Sequence, residues 1–164
     1  MVSPRRWVGA LVLALVAAPA FAEQVAAGRI KVASGEAFII RAGETLPASM
    51  GQLVFAADSM RTGADGKVGI TLKDDTRVSI GPSSEVRLDS FLYTPSDGQL
   101  GLALKFIRGV AVYVSGRIAK LAPDSVRLET PAAILGVRGT TLTIRVASES
   151  TTVGLSLLRP RWSS

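Results

Sequence analysis

Between residues 67 and 89 apolar and polar side chains alternate with a period of two. Val68, Ile70 and Leu72 share one face at 67–72, Val78 and Ile80 one at 77–80, and Val86 and Leu88 one at 85–89. Successive side chains of a strand point to opposite faces, so the alternation predicts three half-buried strands. Asp74-Asp75-Thr76 and Gly81-Pro82-Ser83-Ser84 stand between them as turns. The same rhythm predicts strands at 29–33, 37–41, 100–106, 110–114 and 126–129, and one in which Leu142, Ile144 and Val146 alternate with Thr143 and Arg145. Pro47 excludes a central strand at 46–51, Thr94-Pro95-Ser96-Asp97-Gly98 is the strongest reversal, and Arg108-Gly109 separates 100–106 from 110–114. Residues 118–121, before Pro123, are the one expected helical turn. The fold class is all-β. Short strands at near-constant spacing fit a solenoid-like or sandwich-like domain, and the regularity favours the solenoid-like arrangement.

Organisation follows from the first residues. Arg5-Arg6, the apolar run from Trp7 to Ala18 and Ala20-Phe21-Ala22 match a secretory signal peptide at 1–22. The apolar run falls short of the roughly 20 residues that span a bilayer, so no integral membrane span is expected after cleavage. Residues 23–147 read as one β domain and 148–164 as an atypical tail. Removing Arg5 and Arg6 from the 19 basic residues leaves 17 against 13 acidic, a net charge of +4. These cations read as scattered along alternating strands without clustered stacking rings, which argues against a nucleic-acid partner.

The chain has no cysteine and no histidine. That removes disulfides, thiol nucleophiles, imidazole bases, the Ser-His-Asp triad and ordinary zinc sites. No cofactor or metal is expected, and the chain is not expected to be an enzyme.

Five motifs in order resemble the FecR domain of exported bacterial signalling proteins. They are Asp58-Ser59-Met60-Arg61-Thr62, the run from Asp75 through Thr76, Arg77, Val78, Ser79, Ile80 and Gly81 to Pro82, Phe91-Leu92-Tyr93-Thr94-Pro95, and Arg108-Gly109 with Ser115-Gly116-Arg117-Ile118-Ala119. The most specific is Thr130-Pro131 with Gly136-Val137-Arg138-Gly139-Thr140. The resemblance implies a β-rich periplasmic domain, which in founding members passes a signal from an outer-membrane transporter across the inner membrane to a sigma factor. Founding members carry an anti-sigma segment and a transmembrane helix before the domain; this sequence has neither, so it resembles a solitary exported domain. Ala57 stands where the family has glycine, which requires a turn with angles alanine tolerates. The ending also departs from the family, reading as truncated or frame-shifted and leaving a sheet edge open.

Candidate chemistry centres on Arg138, Gly139 and Thr140. A guanidinium between glycines could hold a carboxylate or phosphate, but a structural clamp locking the last bend is favoured. Gly136 and Gly139 are read as conformational. Asp74-Asp75 reads as a hairpin turn rather than a calcium loop. Asp58, Asp65, Asp89 and Glu129, mostly in solvated turns or on polar strand faces, give no recognisable acid pair for glycoside cleavage. Ser83, Ser84 and Ser115 read as turn formers. Phe91, Tyr93 and Tyr113 read as core rings with exposed hydroxyls rather than a ligand platform. The functional expectation is a non-catalytic periplasmic interaction or signal-sensing module that takes an envelope protein through an exposed strand edge. The alternatives are a module binding cell-wall glycan and an inactive truncated remnant.

Overall fold

The computed structural model describes residues 24–137, 141–147 and 151–156. The expected signal peptide at 1–22 lies outside these residues, and so do Arg138, Gly139 and Thr140. In chain order the strands are β1 (Gly28–Ser34), β2 (Ala37–Arg41), β3 (Glu44–Pro47), β4 (Leu53–Val54), β5 (Ser59–Thr62), β6 (Lys67–Leu72), β7 (Arg77–Ile80), β8 (Glu85–Thr94) and β9 (Gln99–Val114). A short helix, α1 (Arg117–Leu121), precedes β10 (Val126–Glu129), β11 (Ile134–Leu135), β12 (Thr141–Val146) and β13 (Thr151–Ser156).

The strands form one curled sheet with two halves that share β9. Leaf A runs β4-β1-β6-β7-β9-β12-β13, and leaf B runs β3-β2-β5-β8-β9-β10-β11. The chain crosses between leaves repeatedly: β1 belongs to A and β2 to B, β4 to A and β5 to B, β7 to A and β8 to B. Among these ladders only β9·β10 is parallel. A stack of solenoid coils would be built from parallel ladders, so the all-β class holds in its sandwich-like form. Even spacing along the sequence does not distinguish coils that stack from corners that change leaf.

Alternation decides what is buried. Ile30, Ile70, Val78, Tyr113 and Ile144 of leaf A and Ile39, Met60, Val86, Leu88 and Leu104 of leaf B enter a single buried cluster. The helical turn expected at 118–121 is α1, which buries Ile118 and Ala119. Pro47 sits in β3, paired only with β2, an edge position that needs no N–H from it.

The expected break at Arg108-Gly109 is not a break. Residues 99–114 form one strand whose first part pairs with β8 and β10 and whose last part pairs with β7 and β12. Gly109, at φ +85°, supplies the bend between the leaves. A Cβ there would fall 2.6 Å from Ser84 Cα, so Ser84 backbone occupies the space that any other residue would need. Ser84 secures the crossing: its Oγ accepts from Val110 N at 2.9 Å and donates to Pro82 O at 2.8 Å. The glycine signal was legible, but its use as a bend within one strand rather than a turn between two depends on residues 25 positions away.

Candidate functional site

The FecR-like motifs at 58–62, 75–82 and 108–119 prove to be joints of this fold. Asp58 is buried at 1% exposure, not in a solvated turn as its neighbours suggested. Arg41 Nε donates to its Oδ1 at 2.8 Å, and Arg41 Nη2 and Phe55 N donate to its Oδ2 at 2.7 and 2.8 Å. Arg41 Nη2 also reaches Leu53 O at 3.0 Å, and the guanidinium lies 4.5 Å from the Phe55 ring centroid. The Asp58 hydrogen bond raises the Arg41 pKa above its ordinary value against the opposing effect of burial. This bidentate pair ties β2 to the corner before β5. Ala57, beside it, adopts φ +70°. The corner therefore keeps the left-handed angle that glycine would favour, and alanine carries a strain of about 1 kcal/mol there.

Thr62 closes the same motif. Its Oγ1 donates to Gly81 O at 2.6 Å and accepts from Ser84 N at 2.9 Å, fixing β5 to the β7–β8 corner. Asp74 is also fully buried. Its Oδ1 accepts from Thr76 N, while its Oδ2 accepts from Thr76 Oγ1 at 2.8 Å and Ile118 N at 3.3 Å. The Asp74-Asp75 hairpin turn thus also starts α1, with both carboxylate oxygens committed to protein donors. Ser83, at φ +50°, forms the corner before β8 as expected of a turn former.

The remaining acids are dispersed among separate partners. Asp65 Oδ1 accepts from Glu36 N at 3.0 Å, Asp89 pairs with Arg87 at 2.9 Å, and Glu129 stands 4.0 Å from Arg127. Tyr113 is in the core, and its hydroxyl is buried without an aligned hydrogen-bond partner, which corrects the expectation of an exposed hydroxyl. Burial is the main cause of its raised pKa; the Ser115 hydroxyl opposes the shift, nearby Asp74 adds to it, and the Thr76 hydroxyl opposes it. Phe91 and Tyr93 remain as a tilted ring pair with centroids 6.4 Å apart.

At the expected arginine site only the approach is described. Thr130 Oγ1 accepts from Ala133 N at 3.1 Å, which makes the Thr-Pro turn, and Val137 is buried. A Cβ built on Gly136 meets no described atom within 4 Å and its φ is not left-handed, so nothing among the described residues requires glycine there.

Two exposed surfaces remain, the open C-terminal edge that the sequence predicts and one that it does not. One is the edge at β13, where Thr151–Ser156 pairs with β12 and no other described strand covers its far side. Val153 is 39% exposed although it pairs with buried Ile144. The other is the outer face of leaf A. There Arg29, Lys67, Arg77 and Arg145 are exposed without a carboxylate partner among the described residues. Lys31 and Lys73 join Arg29 around a shallow hollow at the β1–β6 end. Strand pairing brings Arg29, Lys67, Arg77 and Arg145 to one leaf, while Lys105 on leaf B and Lys120 on α1 are also exposed outside any ion pair among the described residues. Strand register, which the alternation alone does not specify, is what gathers the four on leaf A.

These features define an all-β scaffold in which the described motif residues hold corners. The model of the FecR protein family matches residues 58–159, more than half of the 164, and the chain belongs to that family. The match extends through β13. No curated protein and no solved structure matches the chain. FecR is a regulatory, signal-sensing domain associated with the cell envelope. Among the described residues no helix is long and apolar enough to cross a membrane.

Proposed function

We propose that this chain is a non-catalytic, periplasmic interaction module that senses or relays an envelope signal by accepting a strand from a protein partner along β13. The observation that carries the reading is the chemistry of that edge. Natural sheets blunt exposed edges with charges, proline or very short strands. Here β3 carries Glu44 and Pro47, and β4 and β11 have two residues each. By contrast, β13 reads TTVGLS, six residues with neither charge nor proline. Main-chain groups along such an edge are a ready template for an added strand. The absence of catalysis is supported by the buried carboxylates: Asp58 and Asp74 are saturated by protein donors.

The test places a photo-crosslinking residue at Val153 in the full chain expressed in cells. A discrete adduct with one envelope protein is expected, and it should disappear when Thr152→Lys places a charge on the edge. Recovery of free monomer alone, or an adduct indifferent to Thr152→Lys, would overturn the reading.

A further inference from the structure

Strand register places three rows of outward side chains across leaf A. The first row is Arg29, Thr71, Arg77 and Val114, in successive register with one another. The second is Val32, Gly69, Ser79, Val112 and Thr143. In the third, Arg145 pairs with Val110, Gly81 N donates to Val110 O, and Lys67 follows one position before Val68. Alternate residues along a strand are about 7 Å apart, so the cation-bearing rows lie roughly 14 Å from each other.

Between them the surface sinks. Val32, Gly69, Ser79, Gly81, Val110 and Val112 line a groove of about 330 Å³ with Lys67 at its rim. Glycines at 69 and 81 let the valines of its floor lie close to the sheet: a Cβ on Gly81 would stand 2.6 Å from Val110 Cγ1, and one on Gly69 3.3 Å from Val32 Cβ. Val32 is 50% exposed, at a point where β1 pairs with β6 but no longer with β4, so the groove opens at the sheet edge. The groove crosses β1, β6, β7 and β9, a span of about 14 Å at the usual strand spacing, with Arg145 of β12 next in register beside Val110.

We infer that this groove docks an acidic segment of a protein partner, aliphatic side chains filling the floor and carboxylates meeting the cations on both rims. The inference rests on the chain being an interaction module and adds a second surface to the β13 edge. Charge complementarity selects the occupant: Arg29, Arg77, Lys67 and Arg145 lack a carboxylate of their own among the described residues, and such rims choose acidic partners and accelerate their encounter. A glycan fits less well, because the floor holds no aromatic platform and Ser79 is its only polar side chain. A lipid surface fits less well too, because membrane-surface binding uses apolar groups that project rather than a recess.

The probe is a synthetic 15-residue peptide of leucines flanked by glutamates, with a control carrying lysine in place of every glutamate. Binding to the full chain is followed by fluorescence anisotropy at rising salt, beside phosphatidylglycerol vesicles and purified cell wall. The acidic peptide is expected to bind, to weaken at least tenfold with added salt, and to lose at least tenfold in the Lys67→Glu, Arg145→Glu double variant. Gly69→Leu, which fills the floor without changing charge, should also abolish binding. If that variant melts early, the exposed charge variants still decide. Thr152→Lys should leave peptide binding intact, which separates this groove from the β13 edge. Failure of the acidic peptide, equal binding of the lysine control, or binding of vesicles or cell wall in its place would overturn the groove assignment and leave the edge crosslink to be judged by itself.

Discussion

On leaf B, Glu85 stands 3.2 Å from Arg61 and 3.6 Å from Arg108, Arg87 takes Asp89, Arg127 faces Glu129, and Arg41 closes on Asp58. On leaf A, Arg29, Lys67, Arg77 and Arg145 share the outer face with valines, threonines, glycines and a serine. None of them is in an ion pair with a described carboxylate, although Asp75, paired with Arg117, lines the hollow beside Arg29. Both leaves draw on the same core and the same spanning strand, so the fold does not require this difference. On leaf B every described arginine has a carboxylate, and Lys105 is the one exposed cation outside an ion pair among its described strand residues. Unpaired cations around a recess on leaf A leave a surface whose electrostatics are completed from outside.

The strongest way to break the comparison is to uncouple the leaves. Gly109→Val would place a β-branched side chain at φ +85° and against Ser84 backbone. A loss of about 4 kcal/mol or more is expected, read as a collapse of the urea midpoint. A near-normal midpoint would mean that the β9 crossing does not join the leaves as described.

A smaller effect is expected inside leaf B. Asp58→Ala leaves the Arg41 guanidinium and the Phe55 N–H without their acceptor and should cost about 3 kcal/mol. Chemical denaturation measures it, and a cost under about 1 kcal/mol would reduce the corner pair to a surface contact.

The smallest effect separates the two faces directly. Glu85→Gln removes the acid between Arg61 and Arg108 and should cost about 0.5 kcal/mol, more at low salt. Lys67→Gln on leaf A should cost nothing measurable, because no internal partner is lost. Equal losses from the two substitutions would erase the distinction between the faces.

What the sequence made legible was local. The period-two runs at 67–72 and 77–80 coincide with β6 and β7, and the helical turn before Pro123 is α1. The run at 85–89 was cut short because Ser90 and the aromatic segment after it interrupt the pattern, yet β8 continues to Thr94 by pairing with β9. The burial of Asp58 depends on Arg41, 17 residues earlier, and that of Asp74 on α1, 44 residues later. No local pattern encodes those distances. The charge asymmetry was hidden for a related reason, since a cation's neighbours across a sheet belong to other strands. Arg138, Gly139 and Thr140 lie outside the described residues, so their role stays an expectation of the sequence.

The long strand β9 also sets an order of events for a chain delivered N-terminus first. Before residues 99–114 arrive, β1, β4, β6 and β7 form one set of ladders, β2, β3, β5 and β8 another, and no ladder joins the two. Each set lacks the neighbour that closes its growing side. Arrival of a single strand supplies partners to both sets at once and creates the ledges on which β10 and β12 then settle. Contacts so distant along the chain favour slow folding and place the commitment late, after more than half the polypeptide has emerged. A chain ending before residue 99 would therefore hold two half-sheets that no ladder joins.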